Sequence, residues 1–160
     1  MTNATTHAAP AFVLTLDRIL DAPLANIWRC WTEPRLLEEW FCPKPWRATE
    51  VTMDLRPGGE MTSVFRGPEG ESFPNAGVFL EVIPMERIVS TDAFRGGWVP
   101  SERAYMVTET LLAEAGPGRT HMIWRALHWN EETMKEHEAM GFHEGWGAAA
   151  AQLEALAKTL

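Results

Sequence analysis

The sequence lacks most of the features that would point directly to a chemistry. It has two cysteines, Cys30 and Cys42, and they do not form the Cys-x-x-Cys pair typical of zinc or redox sites. The net charge is −8 and no run of lysine or arginine interrupts it, so we expect neither nucleic acid nor an anionic membrane as a partner. No uninterrupted apolar stretch approaches the roughly 18–20 residues that cross a bilayer.

The N-terminus shows no basic start followed by an apolar segment, so no secretory signal is visible. We therefore expect a cytoplasmic protein with two free thiols. Residues 1–11 are mostly small and polar, and we expect them to be flexible. Residues 12–160 contain no repeat and no second composition, which predicts one domain.

The short motifs of common enzymes and metal sites are also absent. His137 and His143 are six residues apart, whereas His-Glu-x-x-His needs four, and no serine lies in a Gly-x-Ser-x-Gly context. Cys42 follows the end of a predicted helix, where the helix dipole opposes a thiolate, and Cys30 is expected to be a packed thiol. We therefore expect no metal, no cofactor and no cysteine nucleophile.

What the sequence does have is tryptophan, eight in 160 residues. Residues 12–20, "FVLTLDRIL", predict a first strand. In "DAPLANIWRCW" four apolar residues recur at helical spacing, and a second short helix is predicted through "EPRLLEEWF". Trp28 and Trp31 lie on the first helical stripe, so we interpret them as core residues.

Six further strands, joined by short turns, predict an antiparallel sheet. They are 47–55, 61–66, 75–83, 88–94, 103–114 and 119–129, with a loop at 95–102. Asn130 is a good N-cap for a long C-terminal amphipathic helix, bent near Gly141. A curved sheet covered by one helix leaves a tapered interior, which is either filled by side chains or open as a pocket.

Several segments, in order, resemble one known family. They are "RILDAPLANIWRCWTEPRLLEEWFCP", "DLRPGGEM", "GPEG", "GVFLEVIPMERIVSTD", "VTETLLAEAGPGRTHM" and "MGFHEGWGAAAAQLEALAKTL". Together they are similar to the activator of heat-shock-protein-90 ATPase homologue family, within the START-like (SRPBCC) group. The resemblance spans residues 12–160. It implies an α+β helix-grip fold, in which a seven-stranded curved antiparallel sheet wraps around a long C-terminal helix, with two short helices after strand 1.

The family name implies a stress-related co-chaperone role, but the resemblance is partial in one respect. The eukaryotic activator resembles this domain only in its C-terminal part and has an additional N-terminal domain that engages the chaperone. The present sequence offers no counterpart before residue 12. We therefore expect chaperone contact to be a minor possibility, and a homodimer stays open.

A ligand site is expected in the interior between sheet and helix, because aromatic rings offer large contact areas. Trp40, Trp46, Trp98 and Trp146 are predicted to ring its mouth. Glu109 shares strand parity with its apolar neighbours, which allows it to point inward, where it would need a partner. A structural ion pair is the alternative for Glu109. The full set of predicted binding residues is Trp40, Phe41, Trp46, Met53, Phe65, Trp98, Glu109, His121, Trp124, Arg125 and Trp146.

The leading hypothesis is binding of a small hydrophobic or aromatic molecule in this interior. The alternatives are a cyclase- or hydrolase-type enzyme that uses a polar group of the same cavity, and a protein that contacts a chaperone. A polar group of perturbed pKa beside the rings would favour the enzyme. A filled interior would contradict the small-molecule hypothesis.

Overall fold

The computed structural model describes residues 8–160, so most of the predicted flexible N-terminus, residues 1–7, lies outside the described part. The helices are α1 (Leu24–Thr32), α2 (Pro34–Trp40), α3 (Glu131–Ala139) and α4 (Phe142–Ala157). The strands are β1 (Val13–Leu20), β2 (Arg47–Met53), β3 (Glu60–Arg66), β4 (Ser72–Ile83), β5 (Arg87–Thr91), β6 (Phe94–Arg95), β7 (Val99–Pro100), β8 (Val107–Glu114) and β9 (Thr120–Leu127).

Seven of these strands form one sheet in the order β1-β9-β8-β5-β4-β3-β2, and every neighbouring pair is antiparallel. The predicted seven-stranded antiparallel sheet is therefore confirmed. The register shifts between Thr49 and Thr52 in β2 and between Phe79 and Glu81 in β4. Such irregularities bend a strand and increase its twist, which helps this sheet to curve around a helix.

The strand predicted at 88–94 ends at Thr91, and Phe94 instead begins a small hairpin of β6 and β7 that occupies most of the predicted loop at 95–102. Gly97 and Trp98 have φ angles of 79° and 60° within this hairpin, and Trp98 is 51% exposed. The strand predicted to begin at residue 103 begins at Val107 instead, because residues 101–106 form an irregular segment before β8.

The predicted long C-terminal helix is two helices rather than one bent helix. Gly141 has a φ of 96°, a left-handed conformation that favours glycine and ends the path of α3 before α4 starts. The predicted N-cap is confirmed, since Oδ1 of Asn130 accepts a hydrogen bond of 2.8 Å from the N–H of Thr133.

The core lies between the inner face of the sheet and α4, with α1 and α2 closing one end. Trp40 is fully buried there, and its Nε1–H donates a 2.9 Å hydrogen bond to the carbonyl of Cys30. Trp31 packs edge-on against both Trp40 and Trp124, with ring centroids 4.8 and 5.1 Å apart. Tryptophans from α1, α2 and β9 thus fill this end.

Across the described residues, no helix combines the length and the apolar character needed to span a membrane.

Candidate functional site

A cavity of about 550 Å³ lies between the inner face of the sheet and α4. Small side chains on the strands form its floor, and aromatic side chains form much of its wall. The tryptophan and phenylalanine rings that line it are Trp31, Phe41, Trp46, Phe65, Phe79, Trp124, Phe142 and Trp146. The closest ring pair is Trp124 with Trp146, whose centroids are 4.2 Å apart.

The floor of the cavity carries hydroxyl groups from three strands. Ser63 (β3), Ser90 (β5), Thr108 and Thr110 (both β8) all line the cavity, and Ser90 and Thr108 are directly opposite each other in register. Their hydroxyl oxygens are 2.6 Å apart, so each satisfies the other. Because these side chains are short, the sheet and α4 can enclose space without losing the strand ladders.

At one end of the cavity, His137 of α3 meets His128, which follows β9. His137 Nδ1 lies 3.0 Å from His128 Nε2, and His128 Nδ1 lies 3.2 Å from the carbonyl oxygen of Tyr105. Burial lowers the pKa of His137 to about 4, with the nearby His128 contributing, and burial also lowers the pKa of His128. Both rings are therefore neutral at pH 7.

Tyr105 and Asp92 complete this end of the cavity. The Asp92 carboxylate accepts hydrogen bonds from the N–H groups of Tyr105 and Met106, at 2.9 and 3.1 Å for Oδ1. The Tyr105 hydroxyl oxygen is buried and has no hydrogen-bond partner within the described chain. Burial also raises the pKa of Tyr105, so this hydroxyl keeps its proton. An unpaired buried hydroxyl is costly, but this oxygen has no surface open to the cavity.

Five of the eleven predicted binding residues line the cavity: Phe41, Trp46, Phe65, Trp124 and Trp146. They come from the exit of α2, β3, β9 and α4, so the fold brings together residues that are far apart in sequence.

Three further predicted aromatic or apolar residues do not line it. Trp40 is held in the core by its bond to Cys30. Trp98 packs on Phe94 and on the turn at Gly58, where an added Cβ would lie 2.9 Å from the indole. Met53 is partly buried against the core but ends β2 outside the cavity lining. The predicted ring of four tryptophans at the mouth is therefore wrong for Trp40 and Trp98.

The three predicted polar residues lie on the outer face of the sheet. Glu109 alternates with the cavity-lining Thr108 and Thr110, so it points away from the cavity, and its side chain is only 13% exposed because two arginines flank it. Its carboxylate pairs with Arg87 at 2.7 Å and with Arg125 at 3.2 Å. His121, also on this face, lies 2.7 Å from the Asp17 carboxylate. The structural ion pair, the alternative given for Glu109, is the correct interpretation.

Sequence reasoning missed the polar end of the cavity. The sequence pattern relates His137 only to His143, as a pair of metal ligands, and His143 lies on the surface 3.1 Å from the Glu138 carboxylate. Tyr105 and Asp92 gave no signal, because they lie in irregular segments before β8 and after β5. The alternation of β8 places Thr108 and Thr110 on the face opposite Glu109, and this was the one available hint of a polar floor.

Two further kinds of chemistry, nucleophilic attack by a thiol and metal binding, depend on the cysteines and on clustered ligands. Both cysteines are buried free thiols, and burial raises the pKa of each to about 11, so neither is a thiolate at neutral pH. Cys42 nevertheless lines the cavity. Within residues 8–160, no three His, Cys, Asp or Glu side chains are grouped so that they could hold a metal ion.

The curved antiparallel sheet, the C-terminal helix that it grips and the cavity between them define a helix-grip protein of the START-like class. Residues 21–158 match the family described as "Activator of Hsp90 ATPase homolog 1-like protein", and the chain belongs to that family.

Solved structures agree with this assignment. A crystal structure of a protein from Nitrosomonas europaea is 42% identical, covers 92% of this chain and 95% of its own, and superposes with a TM-score of 0.89. A protein from Mycobacterium smegmatis is 27% identical over 91% of this chain and 90% of its own, with a TM-score of 0.75. An AHSA1-like protein from Aeromonas hydrophila, 15% identical over 92% of each chain with a TM-score of 0.69, shares the fold. No curated protein matches the chain.

Proposed function

We propose that this protein binds a small hydrophobic or aromatic molecule in the cavity between the sheet and α4. The observation that carries the proposal is the open volume of about 550 Å³. Protein interiors are normally packed as densely as organic crystals, so a space of this size is not an ordinary packing defect. It falls within the range of roughly 300–1,000 Å³ typical of small-molecule sites.

The lining supports an apolar ligand rather than a water-filled vestibule. The Trp146 ring packs against both Trp124 and Phe142, with centroids 4.2 and 4.5 Å apart. Water at these ring faces makes few hydrogen bonds, so replacing it by apolar atoms is favourable, by about 25 cal/mol for each Å² of apolar surface removed from water. Rings already held by their neighbours also lose little entropy when a ligand binds.

The first experiment is native mass spectrometry of the purified protein, to find a retained molecule. It is followed by tryptophan-fluorescence quenching with a library of lipids and aromatic compounds, which reports binding because Trp124 and Trp146 line the cavity. A saturable change for an apolar compound supports the proposal. If no molecule is retained and no compound titrates, the proposal is wrong.

A matched pair of variants on β8 locates the binding. Thr108→Phe places a ring in the cavity, whereas Leu111→Phe places one on the outer face of the same strand, where Leu111 shares strand parity with Glu109. We expect Thr108→Phe to weaken binding by tenfold or more, because the added ring occupies ligand volume. Leu111→Phe should leave the dissociation constant within about twofold, which corresponds to less than ~0.5 kcal/mol.

A cyclase- or hydrolase-type enzyme is the second candidate, and His137 is the observation that favours it. A neutral imidazole with a strongly lowered pKa lies beside the aromatic rings of the cavity, and perturbed pKa values of this kind cluster at functional sites. This candidate predicts that a bound compound changes in mass on incubation with catalytic amounts of protein. Mass spectrometry over several hours measures this. If the compound binds but no product forms, the enzyme candidate is wrong and the binding function stands.

A further inference from the structure

We propose that the ligand carries a neutral hydroxyl group, which donates a hydrogen bond to Nε2 of His137. This inference rests on the proposed function, because it names the chemical class of the molecule that occupies the same cavity. The ligand would then be an alcohol or a phenol with an apolar body, bound with its hydroxyl at the α3 end.

The first step is the proton arrangement of the two histidines, which a backbone carbonyl determines. The Tyr105 carbonyl can only accept, so His128 Nδ1, 3.2 Å away, carries the hydrogen. In the neutral ring His128 Nε2 then carries a lone pair and no hydrogen. It can therefore only accept a hydrogen bond, from His137 Nδ1 at 3.0 Å. His137 Nδ1 therefore carries a hydrogen, and its Nε2 is left as an acceptor.

The second step is that this acceptor faces the cavity. His137 lines the cavity, and among residues 8–160 its Nε2 has no hydrogen-bond partner. Its ring packs edge-on against Phe142 and Trp146, with centroids 5.3 and 5.7 Å away, so the tilt of the ring is restrained. A fixed acceptor beside apolar rings binds a ligand that brings a donor and rejects one that lacks it.

The third step is the choice of donor. The Tyr105 ring packs against His137 with centroids 5.5 Å apart, but its hydroxyl oxygen has no surface open to the cavity and takes no part. His137 Nε2 accepts, so the ligand group opposite it must carry a hydrogen, as a hydroxyl does. An ether offers only an acceptor and would leave His137 Nε2 unpaired.

The charges around this end disfavour an anion. Among the described residues that line the cavity, Asp92 carries a negative charge and no lysine or arginine is present. Glu136 of α3 adds a second negative charge that interacts with Tyr105. The positive charge of Arg103 also interacts with Tyr105, but Arg103 does not line the cavity. His128 and His137 contribute no charge at neutral pH. A carboxylate would therefore lose its hydration without gaining a positive partner.

The experiment is isothermal titration calorimetry at pH 7.5 with 4-butylphenol, 4-butylanisole, 4-butylbenzoate and 4-butylbenzylamine, which share one apolar body. We expect the phenol to bind about tenfold tighter than the anisole, the value of one net hydrogen bond, and tighter than either charged probe. In His137→Phe the phenol and the anisole should bind equally. His143→Phe, at an exposed histidine outside the cavity lining, is the control and should keep the preference.

The outcomes separate this inference from the function on which it rests. If the phenol and the anisole bind equally to the unchanged protein, the hydroxyl proposal is overturned while the binding function stands. Tighter binding of the benzoate or the benzylamine overturns it too, since the site would then select a charge. If none of the four probes binds, both are overturned. His137→Gln, which can place an amide oxygen near the former Nε2, should restore part of the preference if the acceptor is the cause.

Discussion

The two ends of the interior between the sheet and α4 differ although both are built from aromatic residues. At the α1–α2 end Trp40 is fully buried, donates to the Cys30 carbonyl and packs edge-on against Trp31. At the α3 end Trp146 and Phe142 face a cavity that also exposes His137. The difference lies in what each ring meets: Trp40 meets Trp31 and the Cys30 carbonyl, whereas Trp146 and Phe142 face a cavity whose floor carries short hydroxyl side chains. The number of tryptophans in a sequence therefore says little about ligand binding until the side chains that each ring faces are known.

Removing an indole at the closed end should have the largest effect. Trp40→Ala is expected to lower the free energy of unfolding by about 3–5 kcal/mol, because it opens a new cavity and frees the Cys30 carbonyl. Trp146→Ala at the open end should cost less, since it enlarges a cavity that already exists. Urea unfolding followed by circular dichroism measures both. Equal losses would mean that the two ends are packed alike.

The second prediction concerns pH and the open end only. The pKa of His137 is about 4 in the folded state against an ordinary value of 6.5, so the unfolded chain binds this proton more tightly. Its contribution to stability is fully present above pH 6.5 and is lost as the pH falls toward 4, by at most about 3 kcal/mol and by less where cavity water screens the ring.

This slope can be isolated with two variants. His137→Phe should flatten the change in unfolding free energy between pH 6.5 and 4.5, whereas His143→Phe, at an exposed site, should leave it unchanged. His128 also has a lowered pKa and adds a slope of the same sign, so part of the slope should remain in His137→Phe. An unaltered slope in His137→Phe would show that His137 is solvated rather than buried.

The same contrast explains what could be predicted from the sequence. Strand alternation and helical spacing gave the order of elements, because each depends on neighbours within a few residues. The predicted binding set also included Phe41, Phe65 and Trp124, which line the cavity. Trp40 and Trp98 could not be assigned, since their surroundings come from Cys30 and from the turn at Gly58, and a large ring suits a core and a pocket equally well.

The polar end of the cavity could not be predicted from the sequence for a related reason. His137, Tyr105 and Asp92 are brought together by the break at Gly141 and by irregular segments, for which no periodic pattern exists. For Glu109 the parity was read correctly, but parity gives two faces without saying which is inner. The two arginines on the outer face decide it, and they come from β5 and β9.

The smallest expected effect tests whether α4 has free space at its open end. Gly145 lies in α4 and lines the cavity, and an added Cβ there would meet no atom within 4 Å. Gly145→Ala should raise the free energy of unfolding by about 0.5–1 kcal/mol, because alanine loses less backbone entropy in a helix. Gly147→Ala, two residues further on, is the matched control: its Cβ would lie 3.0 Å from Nη2 of Arg18, so that side chain must move and the gain should be smaller. Thermal unfolding of the two variants measures the difference, and a gain at Gly147 equal to that at Gly145 would show that the open end offers the helix no more room than its packed flank.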